Sequence, residues 1–240
     1  MNNIINVNWN QPQNVKCLVT TRFGGISKAP FASFNLATHV GDNPKAVEHN
    51  RKLLNQHLPN DPVWLNQIHS NRVIEASSAN NTADACFSWQ KNKVCAVLTA
   101  DCLPVLFTNT NGTVVAAAHA GWQGLLNGIL EQTIMALKEN PAQILIWLGP
   151  AIGKHSFEVG GELKQKFINK NPLFMRAFTI KSKENNKYLA DIYQLAKIIL
   201  NSLGVSNIKG GDFDTMTDNR FYSYRKQQIT GRMATLIYFE

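Results

Sequence analysis

The sequence lacks a long hydrophobic run and an apolar leader at its N-terminus. Hydrophobic residues make up 44% of its 240 residues, yet no stretch approaches the roughly 18 apolar residues that a membrane span needs. Residues 1–13, MNNIINVNWNQPQ, contain neither a basic region nor an apolar core, so no signal peptide is predicted. We therefore expect a cytoplasmic globular protein that does not bind a membrane.

Cysteine and acidic residues are both scarce. The four cysteines (Cys17, Cys86, Cys95, Cys102) are unevenly spaced, which favours reduced thiols over a disulfide framework. Sixteen acidic residues against 24 basic ones give a net charge of +8. The lysines are scattered, and no RNA-recognition, zinc-finger or helix-turn-helix signature is present. We therefore expect no nucleic-acid partner, and the positive field would favour small anions such as phosphate.

Several familiar catalytic motifs are also missing. The chain contains no H-E-x-x-H segment of zinc proteases and no H-x-E with P-C-x-x-C of cytidine-type deaminases. The G-x-G-x-x-G and Walker A loops are absent as well. Its six histidines include no H-x-H pair, whereas a conventional four-copper oxidase needs many histidines, several in such pairs.

The most informative stretch is residues 95–125, CAVLTADCLPVLFTNTNGTVVAAAHAGWQGL. Two apolar, β-rich runs flank the turn-forming segment 109–112, which predicts an antiparallel hairpin. With the loop centred on that segment, Cys102 faces His119, and facing residues have Cβ atoms roughly 4.5–5.5 Å apart. Because Pro104 cannot donate to a central ladder, we expect a bulge or a strand end beside Cys102.

A helix is predicted directly after His119. The segment 121–124, GWQG, opens this helix, which continues to about Glu139. Free backbone N–H groups and the helix dipole at this end form an anion site, and the glycines let a ligand approach the backbone. We therefore expect Gly121 and Trp122 to contact substrate or phosphate.

Three side chains in and near the hairpin have metal-ligand chemistry. Cys102 and His119 supply one thiolate and one imidazole. His69, in a polar loop between two strands, is either a structural or exposed histidine or the second imidazole. Such a set with an open fourth position is typical of catalytic zinc, which lowers the pKa of its bound water to about 7. Asp101 would orient a histidine or carry a proton. These four are the predicted catalytic residues.

Two other interpretations of the same residues remain open. Without a metal, Cys102 would be a nucleophile activated by His119, as in thiol hydrolases and amidases acting on a peptide or cell-wall precursor. A non-enzymatic protein that binds anions or nucleic acid is the third. Sensitivity to an alkylating reagent with and without chelator, and retention on nucleic acid without turnover, distinguish these hypotheses.

Apolar strands and amphipathic helices are interspersed along the whole chain. Asn43 and Pro44 are a typical N-cap and first residue of a helix, and Gly204 is a typical residue after a helix C-terminus. No internal repeat or linker interrupts the pattern. We therefore predict one domain over residues 1–240, of the α/β (α+β) class, and expect a monomer.

Two arginines occur in loops suited to ligand contact. Arg22 lies in a glycine-containing loop after a predicted strand, and Arg225 lies in an aromatic-rich tail. Guanidinium groups bind phosphate and carboxylate in a bidentate manner, so both are candidate substrate- or phosphate-binding residues. Surface arginines paired with nearby acids would have the same pattern.

Two blocks of the chain are specific, Thr99-Ala100-Asp101-Cys102 and His119-Ala120-Gly121-Trp122. Five other short strings accompany them: 20–25 (TTRFGG), 35–42 (NLATHVGD), 67–69 (QIH), 221–225 (FYSYR) and 230–232 (TGR). In their order along the chain, these strings together resemble the bacterial laccase-domain family, called polyphenol oxidase in older usage and purine nucleoside phosphorylase in newer usage.

The resemblance implies a layered α/β/α fold with mixed sheets, related to deamidating bacterial toxins of the cysteine-hydrolase type. It implies zinc held by His69, Cys102 and His119. It further implies phosphorolysis of adenosine, inosine and methylthioadenosine, and deamination of adenosine, with purine nucleosides and phosphate as partners.

One position departs from the family pattern. Members often have a cysteine just before the threonine of the tail block, and this chain has Asp214 before Thr215. The three implied metal ligands are intact, so loss of activity is not predicted. Such a site also binds copper in vitro, because copper binds most nitrogen and sulfur sites more tightly than zinc.

Overall fold

The computed structural model describes residues 3–240, so Met1 and Asn2 of the predicted polar N-terminus lie outside it. The strands are β1 (Ile4–Asn6), β2 (Val15–Thr20), β3 (Val73–Glu75), β4 (Ala85–Ser88), β5 (Cys95–Thr99), β6 (Leu103–Asn109), β7 (Val115–Ala120), β8 (Ile144–Leu148), β9 (Glu158–Gly160), β10 (Phe178–Ser182), β11 (Lys187–Ala190), β12 (Asn207–Gly210) and β13 (Met233–Phe239). The α-helices are α1 (Pro44–Asn55), α2 (Trp122–Asn127), α3 (Ile129–Leu137), α4 (Gly161–Lys170) and α5 (Ile192–Ser202).

The strands form one mixed and two antiparallel sheets. The mixed sheet has the order β12-β8-β6-β7-β4-β3, with parallel pairs at its two ends and antiparallel pairs between them. A second sheet, β1-β2-β13-β5, is antiparallel throughout. A small sheet, β10-β11-β9, lies apart from these two. The predicted α/β class with mixed sheets is confirmed.

Side chains that alternate along each strand build the layers. In β6, Val105 and Phe107 belong to a core shared with α3 and α5, whereas Leu106 belongs to the core between the two larger sheets. On the outer face of the four-stranded sheet, α1 packs through Leu54. Helices therefore cover both outer faces, as the layered prediction requires, and the β layer between them is double.

Local sequence signals set most helix ends. Asn43 caps α1 by accepting from Lys45 N–H at 2.9 Å, with Pro44 as first helical residue, as predicted. The single helix predicted from Gly121 to Glu139 is instead two helices. They are separated by Gly128, whose φ of +94° lies in the left-handed region that glycine adopts without strain. No helix among residues 3–240 has the length and apolarity to cross a membrane.

The predicted hairpin is present, but its predicted register was wrong by two residues. His119 pairs with Pro104 rather than with Cys102. The reason is a wider loop, in which the Asn109 side chain accepts from Thr113 N–H at 2.9 Å and donates to its hydroxyl at 2.7 Å. Cys102 therefore precedes β6, at the strand end that Pro104 indicated, and a slip of two residues keeps every side chain on its predicted face.

Candidate metal centre and active site

The tertiary structure brings His69, Cys102 and His119 together. Their potential ligand atoms all lie within 4.8 Å of one another, and within residues 3–240 they form the one such group of three. Cys102 Sγ is 4.0 Å from His69 Nε2, and the two imidazole rings meet edge to face at 4.8 Å. His119 is buried, whereas Cys102 is half-buried and His69 is exposed. Solvent therefore reaches the cluster from the side of His69.

Cys102 is presented by a constrained turn between β5 and β6. Asp101 has φ +91°, a conformation that costs a non-glycine residue energy unless its surroundings hold it. Its carboxylate accepts from the Thr215 hydroxyl and from Arg225 N–H, both at 2.6 Å, and its carbonyl accepts from Ile152 N–H at 3.0 Å. The turn is thus fixed by three segments that are distant along the chain, two of them more than a hundred residues away.

The histidine-orienting role predicted for Asp101 belongs instead to Asp84. Its buried carboxylate accepts from His119 Nδ1 at 2.9 Å. The same carboxylate accepts from the backbone N–H groups of His69 at 3.0 Å and Ser70 at 2.6 Å. One side chain therefore fixes the ring of His119 and the backbone of the His69 loop. Sequence reasoning missed Asp84, although it directly precedes a strand in Ala83-Asp84-Ala85-Cys86.

The hydrogen bond to Asp84 sets the tautomer of His119. An ionised carboxylate only accepts, so Nδ1 carries the hydrogen and Nε2 is left for the cluster. Burial would raise the pKa of Asp84, but hydrogen bonds from His119 and Ser70 outweigh it and lower that pKa to about 2. Asp84 is therefore ionised whenever the protein is folded near neutral pH.

Cys102 and His119 shift each other's pKa in opposite directions. Burial would raise the pKa of the Cys102 thiol, but the charge and hydrogen bond of His119, with a smaller effect of His69, lower it to about 6. Burial would likewise lower the pKa of His119, but the Cys102 thiolate and Asp84 raise it to about 9. Both shifts favour the thiolate–imidazolium form of the pair when no metal occupies Nε2 of His119.

The donor set fits a metal ion. One thiolate and two imidazoles with an open side match catalytic zinc sites, and a carboxylate behind a ligating histidine is a recurrent outer partner in such sites. Cys102, His69 and His119 can therefore hold a metal ion, and Asp84 supports two of them.

Gly121 closes the cluster from the end of β7. A Cβ atom at this position would lie 3.0 Å from Cys102 Sγ and 3.3 Å from His69 Cδ2, tighter than an ordinary van der Waals contact. A side chain here would displace two of the three candidate ligands. The following helix, α2, has only six residues. Its dipole is therefore small, and it does not support the phosphate site that the sequence predicted at its N-terminus.

Two cavities border the cluster and share the wall formed by His69, Ala100, Cys102 and Tyr224. The first, of about 350 Å³, is mostly apolar and is lined further by Asp101, Trp122, Gln123, Ile152, Phe157, Ile192 and Arg225. The second, of about 390 Å³, is more polar and is lined further by His39, Gln67, Leu98, Thr99, His119 and Arg232.

The two candidate arginines, Arg22 and Arg225, differ in whether they line a cavity beside the cluster. Arg225 lines the apolar cavity and donates to the Glu158 carbonyl at 3.0 Å. Arg22 lines neither cavity. Its guanidinium donates twice to the Ala32 carbonyl, at 3.0 and 3.1 Å, and lies over the Tyr222 ring. Arg232 lines the polar cavity and was not among the predicted site residues, although the Thr230-Gly231-Arg232 string is its signal.

Asp214 has a structural role. Its carboxylate accepts from Gly153 N–H at 3.0 Å, from the Ser156 hydroxyl at 2.6 Å and from Met216 N–H at 3.1 Å. The neighbouring Thr215 holds Asp101. Asp214 therefore anchors the loop that supports the Cys102 turn.

Comparison with known proteins identifies the family. A family model described as multi-copper polyphenol oxidoreductase laccase matches residues 16–240. The chain belongs to this family.

Other members are similar over their whole length. Purine nucleoside phosphorylase YfiH of Escherichia coli is 49% identical over 99% of each chain. A purine nucleoside phosphorylase of Haemophilus influenzae is 48% identical over 98% of this chain and 99% of its own. A crystal structure of a Neisseria meningitidis protein has 45% identity and a TM-score of 0.95, and the two chains cover each other completely. The family resemblance seen in the sequence is confirmed.

Proposed function

We propose that this family member is a zinc-dependent purine nucleoside phosphorylase acting on adenosine, inosine and methylthioadenosine, with adenosine deamination as a second activity. The observation that carries the proposal is the His69–Cys102–His119 cluster at the wall of an apolar cavity. Support comes from relatives named purine nucleoside phosphorylase at 48–49% identity.

The apolar cavity would hold the nucleoside. Its volume of about 350 Å³ falls in the range of about 300–1,000 Å³ for small-molecule sites. Trp122 and Phe157 supply aromatic surface for a purine base. Gly121 leaves the backbone open to a ligand, and Arg225 would contact the substrate through guanidinium donors. Arg22, held by Ala32, does not enter this assignment.

The proposed reaction is a displacement at C1′ of the ribose. A phosphate oxygen bonds to C1′ as the bond from C1′ to the purine nitrogen breaks, and the bonding electron pair leaves with the purine. The proton of hydrogen phosphate ends on the released base. Positive charge builds on the ribose, and the Cys102 and Asp101 side chains at the cavity wall would stabilise it. Asp101 is also the proposed proton carrier for deamination.

Zinc, when bound, would be held by Cys102 Sγ and by ring nitrogens of His69 and His119, and it would supply Lewis acidity at neutral pH. Asp84 keeps His119 in the ligating tautomer. Copper in the same site is the alternative, with polyphenol oxidation as its activity. The family description names several coppers, whereas the part of the chain that is described offers one group of three ligands.

Incubation of adenosine with the zinc-loaded protein, with and without phosphate, tests the proposal. We expect adenine only when phosphate is present, and none from Cys102→Ala. Inosine formed without phosphate would establish deamination. If neither product appears after zinc reloading, the nucleoside assignment is wrong.

His119 lies between Cys102 and Asp84 and hydrogen-bonds to both. This thiol–imidazole–carboxylate arrangement favours a second candidate function, a metal-free cysteine hydrolase. Such an enzyme would lose activity on thiol alkylation equally with and without a chelator. A zinc enzyme would lose activity to the chelator alone and regain it with zinc.

A further inference from the structure

The two cavities beside Cys102 differ in chemistry. The apolar cavity contains the Asp101 carboxylate, the Arg225 guanidinium, which donates to the Glu158 carbonyl, and aromatic or aliphatic side chains such as Phe157. The polar cavity contains two further basic side chains, His39 and Arg232, and no carboxylate among the described residues that line it. Of the two, only the polar cavity offers an anion basic side chains with no carboxylate among its lining residues, while Cys102 lies in the wall of both.

Arg232 is fixed by hydrogen bonds from one of its guanidinium nitrogens, and its other N–H groups are unpaired within residues 3–240. Its Nη1 donates to the carbonyls of Thr230 at 2.9 Å and Gly231 at 3.0 Å. Among residues 3–240, no hydrogen bond is made by its Nε or Nη2. The guanidinium also lies 5.8 Å from the centre of the Tyr224 ring, in the shared wall. Such a preorganised fork suits bidentate contact with phosphate oxygens.

The arginines near this cavity, Arg232 and Arg51, form no ion pair within residues 3–240. Burial first, and then the charges of Arg232 and Arg51, lower the pKa of His39. His39 therefore lies close to both guanidinium groups, and the positive charge at neutral pH is that of the two arginines. Arg51 is fixed by its hydrogen bond to the Leu36 carbonyl at 2.9 Å and by stacking over Trp64. The hydrogen-bond and stacking partners of these guanidinium groups are carbonyls and aromatic rings. Cys102 and Asp101 act on Arg232 through their charge alone, so its free N–H donors remain available to a ligand.

Because the two cavities share a wall at Cys102, ligands bound in them would approach each other from opposite sides of that residue. Displacement at C1′ requires the attacking oxygen and the leaving base on opposite faces of the ribose. A base in the apolar cavity and an anion in the polar cavity, with the ribose at Cys102 between them, satisfy that requirement.

We propose that the polar cavity is the inorganic-phosphate subsite, with Arg232 as its principal ligand and His39 as a second. The assignment rests on the proposed phosphorylase function and places phosphate away from Arg22 and Arg225. Hydrogen phosphate bound there transfers one oxygen to C1′, and its proton leaves with the purine.

Steady-state kinetics of the zinc-loaded protein test the subsite with phosphate and adenosine varied separately. We expect Arg232→Gln to raise the KM for phosphate by about ten- to a hundred-fold, as for loss of a hydrogen bond to a charged group. The KM for adenosine should change less than about two-fold, since the base lies elsewhere. His39→Gln should raise the phosphate KM by a smaller factor.

Two variants control for charge and folding. Arg176 is exposed, so Arg176→Gln removes the same charge at a distant position and should leave both KM values unchanged. Arg232→Lys keeps the charge without the fork, and its phosphate KM should lie between those of the wild type and Arg232→Gln. Phosphorus NMR of inorganic phosphate titrated into each zinc-loaded protein without nucleoside gives a readout independent of turnover.

The outcomes separate the two proposals. If Arg225→Gln raises the phosphate KM while Arg232→Gln, Arg232→Lys and His39→Gln leave it unchanged, the subsite assignment is wrong and the phosphorylase function stands. If the wild type releases no adenine, or releases it at a rate independent of phosphate, the proposed function itself fails. Phosphate binding abolished in Arg232→Gln and retained in Arg176→Gln supports the subsite in either case.

Discussion

The four cysteines lie in two contrasting regions. Cys17, Cys86 and Cys95 belong to the apolar core between the two larger sheets, each at most 4% exposed. Burial raises the pKa of Cys17 to about 12, and contact with Cys86 followed by burial raises that of Cys95. At the end of that layer, the pKa of Cys102 is lowered to about 6, because His119 and His69 outweigh burial.

The contrast shows that reactivity depends on the neighbours of a thiol rather than on its burial alone. Cys95 and Cys102 lie at the two ends of one short segment, yet only Cys102 has imidazole neighbours. Those neighbours are supplied by β7 and by the His69 loop, and both are held by Asp84. The sheet interface is therefore inert packing, and the strand end is the reactive region.

Removing the reactive thiol should have the largest effect. Loss of an outer partner of a metal ligand typically costs about 10- to 100-fold in activity or metal affinity, so we expect Cys102→Ala to lower phosphate-dependent adenine release by more than about 100-fold. Cys17→Ala should keep activity within about two-fold and lose stability, by about 0.5–3 kcal/mol. Product chromatography and chemical denaturation measure the two effects. Equal losses of activity would abolish the distinction between the regions.

Changing Asp84 should have an intermediate effect. Asp84→Asn keeps one oxygen acceptor and replaces the other with an N–H₂ donor, so it cannot accept from His119 and His69 on one side and from Ser70 on the other. We expect the affinity for zinc to fall about 10- to 100-fold, measured by competition with a chromophoric chelator. Asp191→Asn is the matched control, because that carboxylate also accepts from a backbone N–H, that of Gln194 at 2.9 Å, and caps α5 away from the three candidate ligands. An unchanged zinc affinity in Asp84→Asn would contradict the positioning role.

The pH dependence of thiol alkylation, measured on protein freed of metal by a chelator, should show the smallest effect. Because the pKa of Cys102 is lowered to about 6, the thiolate persists as the pH falls and is lost only below that value. We expect the alkylation rate to fall about ten-fold between pH 7 and pH 5, against about a hundred-fold for an unperturbed thiol. Mass spectrometry locates the modified residue. Modification of Cys17 or Cys95 in the folded protein would break the comparison.

Local motifs predicted several parts of this arrangement. Asn43 and Pro44 predicted the start of α1, because a cap depends on neighbouring backbone alone. The Thr99–Cys102 and His119–Trp122 blocks, with His69, predicted the cluster that the structure assembles. The turn residues after β6 predicted the hairpin but misplaced its centre, since the Asn109 side chain widens the loop.

The sequence by itself determined the identity of the three candidate ligands, the strand periodicity that builds the sheets, and the family. Only the tertiary structure decided that Asp84 rather than Asp101 supports the histidines, that Arg22 is held by a backbone carbonyl, and that Arg232 lines the site. The physical reason is distance along the chain. Asp84 and His119 are brought together by sheet pairing, and the contact between Asp101 and Thr215 spans 114 positions. No local pattern encodes which polar partner a buried carboxylate or guanidinium finds once the chain has folded.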